Sequence, residues 1–199
     1  MQAARGTPLS LPPGECAPTA GRFRIRLVLA LAAALVLVDQ VTKVVAVSAL
    51  TDRAPIELLG GVLTLRLVRN AGAAFGLAAG FTVVLTVVAV LVSVVIVRVA
   101  RRLTSRAWAI ALGLLLGGAI GNLIDRLFRP PGPLEGHVVD FLELPNWPVF
   151  NVADSSIVCA GALMVVLTFR GVPVDDTQVD GTQVHRGQVD DRPSDAASG

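Results

Sequence analysis

Residues 81–97 read FTVVLTVVAVLVSVVIV, seventeen positions without a charge. Valine on this scale favours a strand, but ordinary strands run ~5–6 residues, so the length argues for a helix. At ~1.5 Å per residue such a helix approaches the ~30 Å of a bilayer core. The run therefore predicts a membrane span, and the flanking sequence repeats the pattern. Residues 107–124 (AWAIALGLLLGGAIGNLI) and 152–169 (VADSSIVCAGALMVVLTF) read as further spans. Upstream, Arg22, Arg24 and Arg26 precede an apolar run from Leu27 to Val38, broken by Asp39 and Lys43 and resuming to about Leu50. A basic start and short apolar core also suit a signal peptide. Resumption after Lys43, with three spans following, favours a retained helix over residues 27–48. Gly113, Gly117, Gly118 and Gly121 give the third span a face where another backbone can approach closely.

Composition agrees. Hydrophobic residues make up 53% of the 199, and 16% are charged, against about a quarter in soluble domains. Mean hydropathy is +0.68. Charge is uneven: residues 1–170 are net +6, whereas 171–199 are net −4. The arginines flank apolar runs and form no stripe with aromatics, which excludes a nucleic-acid surface. The organisation expected is a disordered, Pro-rich leader (1–21), a membrane domain (22–170) and a disordered acidic tail (171–199) with weak TQVD, TQVH and GQVD repeats. Nine basic residues fall on one side of the spans (Arg5, Arg22, Arg24, Arg26, Arg98, Arg101, Arg102, Arg106, Arg170) and five on the other. The positive-inside rule then sets both termini in the cytoplasm, with loops 51–80 and 125–151 outside.

Those outer loops carry strand signals. Leu63, Leu65 and Leu67 alternate with Thr64 and Arg66, and His137–Leu142 suits a short strand. Trp147 suits an interfacial anchor. The fold expected is all-α and integral to the membrane, with four transmembrane helices and a small extracytoplasmic β element.

Two carboxylates stand out. Asp125 lies just beyond the outer end of the third span, and Asp154 is the third residue of the fourth. Consecutive spans run antiparallel, so both reach one face at similar depth. Two carboxylates in a partly dry site share a proton. Peptide hydrolysis needs this: one member takes a proton from water while the other polarises the scissile carbonyl. The plainer alternative pairs Asp125 with Arg126 and makes Asp154 a helix cap. Two such residues at matching depth favour chemistry. Asn122 lies one turn before Asp125, and Asn151 three residues before Asp154, so each amide can reach the pair or a substrate backbone. Asp39 and Lys43, at i and i+4, neutralise each other and support the site. Arg126 suits a lipid phosphate or substrate backbone.

Other chemistries are poorly served. Only His137 and His185 are present, with no HExxH and no cysteine cluster, so no metal site is expected. A serine/lysine pair would need Lys43, the single lysine. Cys16 and Cys159 are unsuited to a disulfide, and Cys159 reads as an inert buried thiol. A transporter or proton channel would place its carboxylates at the midplane between repeats, which are not evident. A non-catalytic assembly subunit would tolerate Asp→Asn at both positions.

Five segments resemble the bacterial signal peptidase II (lipoprotein signal peptidase) family. They are Asp39-Gln40-Val41-Thr42-Lys43, Asn70-Ala71-Gly72-Ala73-Ala74-Phe75-Gly76, Gly121-Asn122-Leu123-Ile124-Asp125-Arg126, Val138-Val139-Asp140-Phe141 and Phe150-Asn151-Val152-Ala153-Asp154-Ser155. They occur in the family's order over roughly residues 22–170. The resemblance implies an aspartic endopeptidase of the bacterial plasma membrane, active site near the extracytoplasmic face. It would cleave prolipoproteins on the amino side of a diacylglyceryl-modified cysteine. Asp125 and Asp154 would be the catalytic pair, and Asn70, Asn122, Arg126 and Asn151 would line the substrate site. Asp39, Lys43, Gly72, Phe75, Asp140 and Phe141 would support it. The family uses no cofactor, is inhibited by globomycin-type cyclic peptides, and usually works as a monomer in contact with membrane lipid.

Overall fold

The computed structural model describes residues 19–72 and 81–174. Four helices carry the chain: α1 (Thr19–Leu50), α2 (Phe81–Ala100), α3 (Arg106–Phe128) and α4 (Val152–Phe169). All four are long and apolar enough to cross a membrane, and the chain is a multi-pass membrane protein. At one end of the bundle, β1 (Ile56–Leu58), β2 (Leu63–Asn70) and β3 (Val138–Glu143) form an antiparallel sheet in that order.

The bundle is organised around α3, whose glycines work on two sides. A Cβ at Gly113 or Gly117 would press on Leu31, Leu35 and the backbone of Ala32 and Val28 in α1. A Cβ at Gly118 would collide with Ser156 and the Ala153 carbonyl of α4, and one at Gly121 with Asp39. Close approach on both sides matters because lipid offers no hydrophobic drive between helices, so tight van der Waals packing must hold them. Away from the sheet, Val28, Ala32, Ile96, Leu103, Ala109, Leu112 and Leu116 pack as one core. That end is closed by Ser105, which accepts from Trp108 N as the α3 N-cap, and by Trp108 Nε1, which donates to Val172 O at 2.9 Å. Residues 171–174, the start of the expected loose tail, are thus tied to the bundle, as Thr104 N also donates to Val174 O.

Beneath the sheet, Ala46, Leu50, Val139 and Phe141 form a second core that seats β3 against α1. The β1–β2 hairpin turns through a 3₁₀ segment, Leu59–Gly61, with Leu59, Gly60 and Gly61 all at positive φ. The register slips between Leu65 and Val68, a bulge that bends β2.

Several expectations need revision. The strand expected from alternation extends to Asn70, and β1 had no signal of its own. α1 begins at Thr19, inside the expected leader. α3 does not stop before Asp125 but continues to Phe128, because tertiary partners satisfy that carboxylate inside the helix. Cys159 is exposed on α4 rather than buried. An apolar helix in a membrane protein can face lipid as readily as protein, and the thiol sits on such a face. Ala73–Gly76, including Phe75, lie outside the described residues.

Candidate active site

Asp125 sits in the last turns of α3, fully buried, and both carboxylate oxygens are engaged. Oδ1 meets Arg129 Nε at 2.6 Å, one helical turn on. Oδ2 meets Lys43 Nζ of α1 at 2.9 Å and accepts from Val139 N of β3 at 3.1 Å. Gln40 Nε2 also approaches Oδ1, at 3.4 Å. The sequence alternative of an Asp125–Arg126 pair is not what forms. Adjacent helix residues point to different faces, while i and i+4 share one, so Arg129 takes that place.

Lys43 is the hub. Its Nζ also contacts Asp39 Oδ2 at 2.8 Å and donates to Asn122 Oδ1 at 3.0 Å, using its three protons on three acceptors. Asp39 is itself completed by Ala153 N, which donates to Oδ1 at 2.9 Å and ties α1 to the start of α4. Asp39 and Asp125 thus face Lys43 and Arg129, two charges of each sign. Such balance makes ionised groups tolerable in a low-dielectric interior.

Asp154 occupies the first turn of α4 in a reciprocal cap. Asp154 N donates to Asn151 Oδ1 at 2.9 Å, and Asn151 N donates to Asp154 Oδ2 at 3.2 Å. The other oxygen, Oδ1, accepts from Asn122 Nδ2 at 2.7 Å. The capping geometry of the plainer alternative therefore exists, yet it leaves Asp154 half-buried beside the charged cluster rather than isolated. No hydrogen bond joins the two carboxylates directly. Asn122 connects them, donating to Asp154 and accepting from the Lys43 that holds Asp125.

A third carboxylate, Asp140, closes the group from β3. Its Oδ1 accepts from Asn151 Nδ2 at 2.6 Å and its Oδ2 from Asn70 Nδ2 at 2.9 Å. Burial pushes this carboxyl up to about 6, with the Asp154 charge adding to the shift, while the Asn70 and Asn151 hydrogen bonds and Lys43 oppose it. Gly72, at φ 90°, turns the chain so that its N–H reaches Asn70 Oδ1 at 2.9 Å. This fixes the amide that serves Asp140. Arg126 lies within the field of Asp154, Asp140 and Asp125. Its Nη1 donates to Asn122 O at 3.3 Å, and its Nε is buried with no hydrogen-bond partner among the described residues.

Of the residues singled out in the sequence, Asp39, Lys43, Asn70, Asn122, Asp125, Arg126, Asp140, Asn151 and Asp154 thus meet in one network. Phe141 does not: it points to the second core with Ala46 and Leu50. Three contributors carried no assigned role. Gln40 spans Asp39, Gly121 O and Asp125. Arg129 was available from its i+4 spacing to Asp125. Gly136 lies against the end of α3, where a Cβ would collide with the carbonyl oxygens of Asp125, Arg129 and Arg126. No group of His, Cys, Asp and Glu suited to a metal ion occurs among the described residues.

Comparison with known proteins identifies the family. Residues 31–170 fit the family model of signal peptidase (SPase) II. The lipoprotein signal peptidase of Mycolicibacterium smegmatis is 50% identical over 169 residues, covering 84% of this chain and 72% of the relative. That of Rhodococcus jostii is 51% identical over 168 residues, covering 84% and 85%. That of Mycobacterium tuberculosis is 49% identical over 162 residues, covering 81% and 80%. A bacterial membrane enzyme solved by the in meso method at 1.9 Å superposes with a TM-score of 0.63 at 28% identity, over 71% of this chain and 91% of the other. With its four spans, its buried carboxylates and these matches, the chain belongs to the signal peptidase II family of membrane aspartic proteases, which remove signal peptides from prolipoproteins.

Proposed function

We propose that this chain hydrolyses the prolipoprotein peptide bond on the amino side of a diacylglyceryl-modified cysteine, with Asp125 and Asp154 as its catalytic pair. The observation that carries this reading is the Asp125–Lys43–Asn122–Asp154 chain of contacts at one end of the bundle. One carboxylate takes a proton from the attacking water, and the other donates a hydrogen bond to the scissile carbonyl as charge develops on its oxygen. The leaving amine then recovers a proton from the pair. Neither Asp is assigned a fixed role in this exchange.

The surrounding side chains divide the remaining work. Arg126, with its unpartnered Nε, is suited to a substrate carbonyl. Asn70, Asn122 and Asn151 supply amides to the substrate backbone or orient the carboxylates. Asp39 and Lys43 hold Asp125 in position, and Asp140 and Gly72 hold the Asn151 and Asn70 amides. Phe141 supports the site indirectly, by packing β3 on Ala46 and Leu50 of α1, and Phe75 is assigned a supporting role. The protein sits in the bacterial plasma membrane with both termini cytoplasmic and the sheet outside. It works as a monomer, and a globomycin-type cyclic peptide occupies the same site as substrate. Substrate enters sideways from the bilayer, with its acyl chains remaining in lipid.

The discriminating experiment offers purified protein one precursor in two forms, with and without the diacylglyceryl group on its cysteine. Cleavage of the modified form alone, blocked by a globomycin-type peptide, is expected. Equal cleavage of both forms would refute the substrate assignment.

A further inference from the structure

Two adjoining concavities at the junction of α1 with the sheet take no part in the chemistry above. The first is a groove of about 270 Å³, lined by Val41, Val45, Ala49, Ile56, Leu65 and Phe141 among others. Among the described residues no charged side chain lines it. It continues the face of α1 on which Leu37, Val38, Val41 and Val45 are exposed. The second concavity, about 330 Å³, begins where the first ends, since Leu50 lines both. Its wall carries Arg53, Arg66 and Arg69 against a single acid, Asp52. Arg66 reaches Glu143 only at 3.4 Å in an exposed pair, and Arg53 and Arg69 have no acid within ion-pair distance among the described residues.

An apolar trough running into a cationic cup matches an amphiphile with a hydrocarbon chain and an anionic head. We propose that this junction binds an anionic phospholipid of the bilayer, one acyl chain in the groove and the phosphate on Arg53, Arg66 and Arg69. Guanidinium groups suit a phosphate because their paired N–H donors match two of its oxygens. The peptidase substrate is the wrong occupant on two grounds. Its diacylglyceryl group carries no phosphate, which would leave the arginines unanswered. The groove also lies behind the catalytic network: Val41 and Val45 follow Asp39 and Lys43 by two positions, ~200° around the helix. The occupant is therefore a resident lipid that seats the sheet on the membrane.

The test uses the full-length protein, delipidated in detergent and titrated with dioleoylphosphatidylglycerol or dioleoylphosphatidylcholine, with bound lipid counted by native mass spectrometry. Wild type should prefer the anionic lipid roughly tenfold, and the preference should shrink as salt rises. The combined R53Q, R66Q and R69Q variant should lose that preference while still binding both lipids weakly. Ala49→Trp, which fills the groove, should weaken both lipids together. Equal binding of the two lipids by wild type, or an undiminished preference in the arginine variant, would overturn the proposal. If Ala49→Trp folds and binds both lipids as wild type does, the acyl seat is wrong. The arginine arm decides alone if that variant does not fold, since all three arginines are exposed.

Discussion

Lys43 Nζ lies 2.9 Å from Asp125 Oδ2, with both side chains fully buried and drawn from different helices. The contact fixes α1 to α3 at the depth of the proposed chemistry. Lys43→Met would leave Asp39 and Asp125 facing each other without their shared cation. Breaking a buried pair in this way costs about 3–5 kcal/mol. Thermal unfolding in detergent should show a large drop, and cleavage should be lost. Adding Asp39→Asn to Lys43→Met removes one of the two stranded charges and should restore part of the melting temperature, though not activity.

Gly136 gives a second prediction. Its missing side chain lets residues 136–137 fold under the end of α3, with Gly136 N donating to Arg126 O at 3.1 Å. Alanine there meets three backbone carbonyls at once, including that of Asp125. Backbone cannot step aside as a flexible side chain can, so Gly136→Ala should cut cleavage by roughly a hundredfold, the order expected when catalytic groups are misplaced by an ångström. Gly161→Ala is the control: none of the described residues lies within 4 Å of its Cβ position, and cleavage should be unchanged.

Much of this was legible in the sequence because membrane spans announce themselves by length and lack of charge. Strand β2 was legible through the alternation of Leu63, Leu65 and Leu67. By sequence alone Asp125 falls outside its helix, because a carboxylate looks like the end of an apolar run. Only the fold reveals that Lys43, Arg129 and Val139 N accommodate it within α3. The exposure of Cys159 is not legible in the sequence, because hydropathy does not separate a lipid-facing position from a protein-facing one. Gly136 had no local signal at all, since its role depends on a loop returning to a helix end ten residues earlier.

Asn151 joins more partners than a simple cap. It bonds Asp154, Asn122 and Asp140. Cap removal alone costs about 1 kcal/mol, and stranded buried acceptors cost about 1–3 kcal/mol more. Asn151→Ala should therefore lower the melting temperature and reduce kcat more than it raises KM, because it frees Asp154 to turn. A change confined to KM would show that Asn151 contacts substrate without orienting Asp154.

The Asp140 carboxyl gives a pH dependence with a definite sign. Its folded pKa, about 6, lies above the ordinary value of 3.8. Between these values the folded protein holds more protons than the unfolded chain, so stability falls as pH rises from about 4 to 6. The full effect is of order 3 kcal/mol at ~1.4 kcal/mol per unit. Melting temperatures of wild type and Asp140→Asn across this range should differ in slope, with wild type falling more steeply towards pH 6. Parallel slopes would remove Asp140 as the source.

The most direct measurement follows cleavage of a diacylglyceryl-modified prolipoprotein by purified wild type, Asp125→Asn and Asp154→Asn in detergent, with folding checked by thermal unfolding. Wild type should cut before the lipidated cysteine, and each variant should remain folded yet lose about three orders of magnitude or more in kcat. Substantial residual activity in either folded variant would contradict the assignment of Asp125 and Asp154 as the catalytic pair.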